Sequence, residues 1–517
     1  MIGLVLFGGL CGSLNNMFVH MGGQNIGNEM RKDAFAKIMT FSFPQVDRFG
    51  TGSLVTRVTN DITQVQNLIS QFVRGMIRTS MLMFGSMYFM FRLNHQFGII
   101  VLCAFPFIVG CLAFCLVKAN PLFFKLQKEL DRINEMLQED ISAIRMIKAC
   151  VRELYEKLRF GKANEELIKT QLKVLIIFAF MNPTINALMY FVTAVILLSG
   201  SIQVKSGAAS PGNIMAAITY TTQLLNGILG LTMLFQNISR GYASWKRVKE
   251  ILDSRPELSD GEAVGDKAVR GEIVFKNVSF SYPGSSQMIL KHVDLTIRPG
   301  ETVAIMGTTG CGKSSLVHLI PRFYYVTEGQ VLVDGMDVRE YSQQVLRSKI
   351  AFALQKSELF HQTIAENIAW GDPAAEEESI QKAAETAQAS DFIHKSEQGF
   401  QTMVAERGMS LSGGQKQRVS LARAIVKNAE ILVFDDATSA LDLKTEADFY
   451  DALCRSNPDS TKIMVAQRIA SVRRADRIVV LENGSIAGCG THEELMKDCK
   501  AYRDIYDSQI GREEYDG

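Results

Sequence analysis

The chain has 517 residues, of which 55 are Lys or Arg and 54 Asp or Glu, for a formal net charge of +1. That length allows two or three domains, and the balanced charge leaves no electrostatic footprint for nucleic acid or a strongly acidic partner. Nine cysteines are scattered, with Cys111 and Cys115 the only close pair; thiols of a reducing cytosol are expected, not a disulfide framework or a metal site.

Along the chain, charge is unevenly placed. Residues 1–28, 79–91, 93–117, 174–204 and 206–239 contain no Asp, Glu, Lys or Arg. A bilayer-spanning helix needs roughly 20 mostly apolar residues, so these stretches read as about five membrane spans. The 79–91 run is short and reaches that length only by extending through Arg78 and Arg92, which would snorkel or face a wet cavity. Residues 29–75 and 118–173 are long and charged, with Arg31, Lys32, Arg48, Lys148, Arg152 and Arg159, whereas the connections near 92–96 and 201–212 carry only Arg92 and Lys205. The positive-inside rule puts both long loops in the cytoplasm. Residues 1–20 would then enter from outside. They lack a basic n-region and a clear small-residue cleavage site, so a missing first helix is expected in place of a signal peptide. His20, Arg78, Asn182, Asn186 and Asn226 are polar residues in or near spans; they could line a path or join helices by hydrogen bonds.

Within 118–173, Leu126, Leu130, Ile133, Leu137, Ile141 and Ile144 recur at helical spacing, which predicts helices that carry the spans well into the cytoplasm. Phe43–Gly52 breaks one helical pattern and starts another, and Thr59-Asn60-Asp61 is expected to cap. After Trp245 hydropathy falls, so the chain divides into a transmembrane domain over 1–245, a linker over 246–272 and a further domain over 273–510. Strand-like runs follow at Ile273–Phe275, Asp294–Ile297 and Thr302–Met306, and the later segments alternate helix and strand. That order argues an α/β domain with a largely parallel sheet.

Residues 307–314 read Gly307-Thr308-Thr309-Gly310-Cys311-Gly312-Lys313-Ser314, between the Val303–Met306 strand and an apolar helical run over Ser315–Ile320. Strand, glycine loop and helix is the setting of a phosphate-binding loop. The glycines let backbone N–H groups turn toward phosphate oxygens, and the helix N-terminus adds a favourable dipole. Lys313 would reach the β- and γ-phosphates of ATP, and the Ser314 hydroxyl would sit on Mg²⁺. Cys311 reads as a neutral filler. Ile431-Leu432-Val433-Phe434-Asp435 is a buried strand ending in a carboxylate suited to a second Mg²⁺ support.

Further on stands Leu411-Ser412-Gly413-Gly414-Gln415, and with it the chain resembles the ATP-binding cassette (ABC) exporters over nearly its whole length. Tyr282, in Phe280-Ser281-Tyr282-Pro283-Gly284, resembles the aromatic that stacks on adenine, and Gln355 the glutamine that touches Mg²⁺ and the membrane couplers. Glu406-Arg407-Gly408 resembles the short exporter motif before the signature, and Ser439-Ala440-Leu441-Asp442 the segment that crosses the dimer interface. Gly52–Asp61 and Arg145–Ala149 are similar to the family's cytoplasmic loops, which end in helices docked on the cassettes. The resemblance implies an all-α exporter-type transmembrane domain followed by an α/β P-loop nucleotide-binding domain. It also implies an ATPase-coupled, multi-pass transporter in the cell membrane, a bacterial plasma membrane by type, with its ATP-binding domain cytoplasmic. ATP and Mg²⁺ would be bound by Tyr282, Gly307–Ser315, Gln355 and Asp435, with Ser412, Gly413, Gly414 and Gln415 reaching the γ-phosphate of an ATP held by a second cassette. Family members have six spans, and the resemblance implies that the first of them is the one missing here.

Two positions depart from the family. Asp436 stands where a Glu usually polarises the attacking water, and Gln467 where a His precedes Arg468. Asp is one methylene shorter, so its carboxylate retreats by roughly 1.5 Å. A general base must come within about 2.6–3.2 Å of its proton, and a misplacement of about 1 Å can cost on the order of 100-fold. Gln donates a hydrogen bond but cannot become cationic or shuttle a proton. The pair resembles the degenerate-site subunit of heterodimeric bacterial exporters, many of them multidrug pumps, and implies a partner half that carries the Glu and the His. A slow homodimer and a non-hydrolytic, nucleotide-gated regulatory membrane protein are the alternatives. The spans are rich in Met and Phe, which suit a deformable apolar cavity among membrane lipid; drug, lipid and peptide all stay open as the exported substrate.

Overall fold

The computed structural model describes residues 2–207, 209–256, 258, 260–261 and 270–513, without the side chains of residues 116, 182, 231–233, 235–237, 239–240 and 510–513. The side chain of Asn182 and much of the linker (residues 257, 259 and 262–269) lie outside the described residues. The chain forms two compact units. One takes the chain to Ile38 and again from Gly52 to Asp253; the other takes Met39–Thr51 and the chain from Ser254 onward.

In chain order the helices of this first half are α1 (Ile2–Met39), α2 (Phe43–Phe49), α3 (Thr51–Thr56), α4 (Ile62–Leu93), α5 (His95–Ser142), α6 (Ile144–Ala149), α7 (Glu153–Lys205) and α8 (Pro211–Asp253). The 48 residues of α5 and 53 of α7 rise about 72 and 80 Å at 1.5 Å per residue, more than twice a hydrocarbon core of about 30 Å. The helical spacing in 118–173 thus corresponds to continuous helices that outrun the membrane. Among the described residues α1, α5 and α7 are long and apolar enough to cross a membrane, by length and composition. The stretches 79–91 and 206–239 fall in α4 and α8, whose apolar runs are diluted by Arg74, Arg78 and Arg92 and by Thr221, Thr222, Gln223 and Asn226. These two helices lie close together because Gly227 has no side chain: a Cβ there would come within 3.2 Å of Met83.

Thr59-Asn60-Asp61 does not cap a helix. It lies in a π-helical turn, Arg57–Asp61, that joins α3 to α4 without a break. The Asp61 side chain is buried and taken by the Arg247 guanidinium (Nε to Oδ2, 2.7 Å) and the Ser244 hydroxyl (2.9 Å). With the carboxylate satisfied by α8, it does not compete for its own backbone. Extra residues in a helical turn of this kind are frequent at functional sites.

The second unit continues as β1 (Ile273–Phe280), β2 (Leu290–Ile297), β3 (Thr302–Gly307), α9 (Lys313–Leu319), β4 (Glu328–Val333), β5 (Met336–Asp337), α10 (Gln343–Ser348), β6 (Ile350–Ala353), α11 (Ile364–Ala369), α12 (Glu377–Thr386), α13 (Ser390–His394), α14 (Gly413–Val426), β7 (Ile431–Asp435), α15 (Leu443–Ser456), β8 (Thr461–Val465), α16 (Ile469–Val472), β9 (Arg477–Glu482), β10 (Ser485–Gly490), α17 (His492–Asp498) and α18 (Lys500–Glu513). The six-stranded sheet has the order β10-β9-β3-β8-β7-β6 and is parallel except for its β10 edge. Every residue of β7 and β8 is buried, as strands covered on both faces require. The expected parallel sheet is therefore present. A second, antiparallel sheet of order β2-β1-β4-β5 stands beside it and was not foreseen, because β4 opens on the polar Glu328-Gly329-Gln330.

Although it precedes most of the helical unit in sequence, α2 seats on this second unit. Phe43 stacks on Phe323 (centroids 4.3 Å apart), Asp47 Oδ2 accepts from the Tyr324 hydroxyl at 2.9 Å, and Gln45 Nε2 donates to the Arg255 carbonyl at 2.8 Å.

Candidate functional site

Parallel strands end at one edge of the sheet, and ligands of such sheets bind beyond those C-terminal ends. Here the ends of β3, β6, β7 and β8 deliver the glycine loop, Gln355, Asp435 with Asp436, and Gln467. After β3 the chain turns through Gly307, Gly310 and Gly312, all at positive φ, where glycine carries no Cβ penalty. Gly312 is constrained twice: its φ is 105°, and a Cβ would meet Leu290 at 2.8 Å.

Lys313 folds back over the loop, its Nζ donating to the carbonyls of Gly307 and Thr308, both at 2.9 Å, and it is buried. Ser314 Oγ donates to Asp435 Oδ1 at 2.8 Å. His318, on the next turn of α9, brings Nε2 to 3.3 Å from Asp435 Oδ2 but out of hydrogen-bonding line; sequence reasoning gave no reason to name it. Cys311 is buried in the apolar core under the loop.

Asp436 follows β7 in the left-handed region, φ 50°, held by its N–H to the Val465 carbonyl at 3.1 Å. Such a conformation is uncommon for a residue with a side chain and marks a constrained position. Its Oδ2 accepts from two carboxamides, Gln355 Nε2 at 3.2 Å and Gln467 Nε2 at 3.0 Å. Burial pushes the Asp436 carboxyl above the ordinary carboxylate range; the adjacent Asp435 adds to this, while the two amides pull the other way. The residues at the two departing positions are therefore bonded to each other.

A cavity of about 350 Å³ brings together Tyr282, Thr309, Gly310, Gly312, Lys313, Ser314, Ser315, Gln355, Asp436 and Gln467. Thr308 and Cys311 line a smaller adjoining one of about 220 Å³. Tyr282 sits edge-on to Phe280 and Tyr324 (centroids 4.9 and 5.2 Å) and its hydroxyl bonds the Ser315 hydroxyl at 2.9 Å.

Ser412, Gly413, Gly414 and Gln415 are not among the residues lining that cavity. Ser412 is the N-cap of α14: its Oγ accepts from Gln415 N at 3.3 Å, and Gln415 Oε1 accepts from Ser412 N at 2.9 Å, a reciprocal capping box. Gln417, unflagged in the sequence, ties this helix to the 439–442 segment through Ser439 Oγ (3.1 Å) and Ala440 N (2.8 Å). Arg468 closes on the same segment, donating to the Leu441 carbonyl at 2.8 Å. Only contacts across the fold reveal Gln417, since neither motif nor periodicity sets it apart.

Comparison with known proteins bears on both halves. Residues 1–228 match the ABC transporter transmembrane region and residues 290–439 the ABC transporter family. An uncharacterized ABC transporter ATP-binding protein of Bacillus subtilis, YfiB, is 37% identical over 513 residues, covering 99% of this chain and 89% of its own. An ATP-dependent lipid A-core flippase of Syntrophus aciditrophicus is 35% identical over 508 residues, 98% of this chain and 84% of its own. The structure of a bacterial Atm1-family ABC exporter with ATP bound superposes with a TM-score of 0.81 at 27% identity, over 97% of this chain and 88% of that one.

Proposed function

Because the chain belongs to the ABC transporter family, as a multi-pass membrane exporter with a cytoplasmic ATP-binding domain, we propose that it is the slow-site half of an asymmetric exporter. As an ABC exporter it couples ATP to export. The proposal concerns how the work is divided.

The observation that carries it is the bonding of Asp436. A general base must present a free lone pair to the attacking water, near its proton. The Asp436 carboxylate is short by one methylene, and the two amide donors on its Oδ2, Gln355 and Gln467, favour its charged form and so weaken it as a base. Gln467 cannot turn cationic to support developing charge. ATP binding does not depend on either residue. Lys313 and the loop N–H groups suit the phosphates, and Tyr282 gives adenine a ring beside the cavity. The donor set of Ser314, Asp435 and Gln355 is the oxygen-rich kind that a hard cation such as Mg²⁺ takes. That ion supplies charge neutralisation at the phosphates.

The signature residues support the other half of the reading. They cap α14 and stay out of this chain's own cavity, so they are available to an ATP held by another cassette. A partner with Glu and His would then hydrolyse in a site completed by Ser412–Gln415 of this chain. For substrate, similarity to proteins named lipid A-core flippases favours an amphiphile over a peptide.

The test is single-turnover chemistry on the purified chain. After Mg²⁺ and γ-labelled ATP are added and free nucleotide removed, the label should stay on bound ATP over many minutes. Prompt recovery as ADP and phosphate would defeat the proposal.

A further inference from the structure

Helix α18 reaches the nucleotide cavity from behind. Along it Tyr502, Ile505, Tyr506 and Gln509 recur at spacings of three and four and so share one face. Tyr502 is fully buried, and its hydroxyl meets His492 Nδ1 at 2.7 Å. Ile505 and Tyr506 pack on the same apolar core. Gln509 continues that stripe, and a polar side chain on a packed face needs partners. Its carboxamide finds two on one short stretch of backbone. Nε2 donates to the Gln467 carbonyl at 2.7 Å, and Oε1 accepts from the Ile469 N–H at 2.9 Å.

This stretch lies between elements, since β8 ends at Val465 and α16 begins at Ile469. Arg468 stands at the N-cap of α16 but gives it no side-chain cap; its guanidinium crosses to the Leu441 carbonyl instead. N–H groups in a first helical turn have no intrahelical partner, so Gln509 supplies from α18 the acceptor that Arg468 cannot. The backbone is thus held on either side of Arg468 by one side chain. From the same stretch the Gln467 side chain extends to Asp436 Oδ2 at 3.0 Å. A carboxamide has two N–H donors; this bond uses one and leaves the other for a phosphate oxygen. Gln467 lines the cavity together with Lys313 and Asp436, at the end suited to the terminal phosphate of ATP, which ADP lacks.

We propose that Gln509 is a positioning residue of the nucleotide site. By holding the backbone around Arg468 it keeps the Gln467 amide turned toward Asp436 and the terminal phosphate, so that the seating of α18 sets the preference for ATP over ADP. It does so whether or not the chain hydrolyses what it binds, and therefore independently of the slow-site reading.

The test uses the full-length chain in detergent with Mg²⁺ and a ribose-labelled fluorescent ADP, displaced by ADP or by the non-hydrolysable β,γ-imido analogue of ATP. Gln509→Met keeps the length of the side chain and loses both bonds. It should weaken the ATP analogue roughly fivefold and leave ADP within about twofold. In a chain that already carries Gln467→Ala the same substitution should cost nothing further, as a double-mutant cycle through one residue requires. Should a melting curve show Gln509→Met unfolded, Gln509→Glu carries the same test, because it keeps an acceptor for Ile469 and loses the donor to Gln467. An unchanged preference, equal weakening of both nucleotides, or an undiminished effect beside Gln467→Ala overturns the proposal. No hydrolysis is read, so a fast chain would defeat the slow-site reading and leave this outcome untouched.

Discussion

Asp436→Asn separates a working base from a carboxylate kept for other reasons. The side chain is 8% exposed, and burial is the main influence that raises its pKa in the fold. An acid whose folded pKa is raised contributes stability that is fully present below the ordinary Asp value, near 3.9, and is lost as pH rises through the raised value. Above that point the ionised form burdens the fold by about 1.4 kcal/mol for each unit of elevation. Asn has the same shape and keeps an acceptor oxygen for Gln355 and Gln467 but has no charge to desolvate beside Asp435. The variant should therefore be more stable near neutral pH and melt at a higher temperature than wild type. The gain should shrink toward about pH 4. Thermal melts of the full-length protein at about pH 7.5 and about pH 4.5 read this directly. ATP turnover by the chain alone should change less than about threefold, because loss of a competent base costs 10²–10⁴. A lower midpoint at neutral pH would mean that the ionised form is no burden, and a hundredfold loss of turnover would mean that Asp436 is a working base.

Tyr324→Phe removes the bond to the exposed Asp47 that ties α2 to the catalytic unit; with water replacing it, the expected loss is about 1 kcal/mol. Burial, then Asp47, raises the Tyr324 hydroxyl pKa, so that stability is present below about pH 10 and lost as pH climbs through the raised value; melts of wild type and variant should converge there. Arg247→Ala strands the buried Asp61 and should destabilise the helical unit by about 3–5 kcal/mol. Arg57→Ala, which breaks the 2.7 Å pair with the half-exposed Glu250, should cost about 1 kcal/mol or less; denaturation in detergent ranks the two. Ser412→Ala forfeits an N-cap, about 1 kcal/mol. It should abolish turnover in a complex with a competent half while ATP binding by this chain, through Lys313, stays at the wild-type level.

What the sequence revealed is what local chemistry fixes. The Gly307–Ser314 loop sits between a buried strand and an apolar helix, so its geometry follows from glycine conformations and strand termination alone. The ends of β6, β7 and β8 bring Gln355, Asp436 and Gln467 together, but the two hydrogen bonds that join them arise from the parallel register of strands distant in sequence. Thr59-Asn60-Asp61 has the polar residues of a cap, but Arg247, far along the chain, takes the carboxylate. Phe43-Pro44-Gln45 announced a break; its attachment to Phe323, Tyr324 and Arg255 is a tertiary choice that no local pattern encodes. The antiparallel sheet escaped notice because β1 and β4 find each other only across the glycine loop and α9.

The most direct measurement is the steady-state ATPase rate of the full-length chain, alone and reconstituted with an exporter half that carries the Glu and the His, each with and without Asp436→Glu plus Gln467→His. A slow-site half should give a rate near background alone, restored turnover in the complex, and a rise of at least tenfold on double reversion of the isolated chain. Brisk hydrolysis by the unmodified chain, with little change on reversion, would contradict it and make a homodimeric exporter the better description.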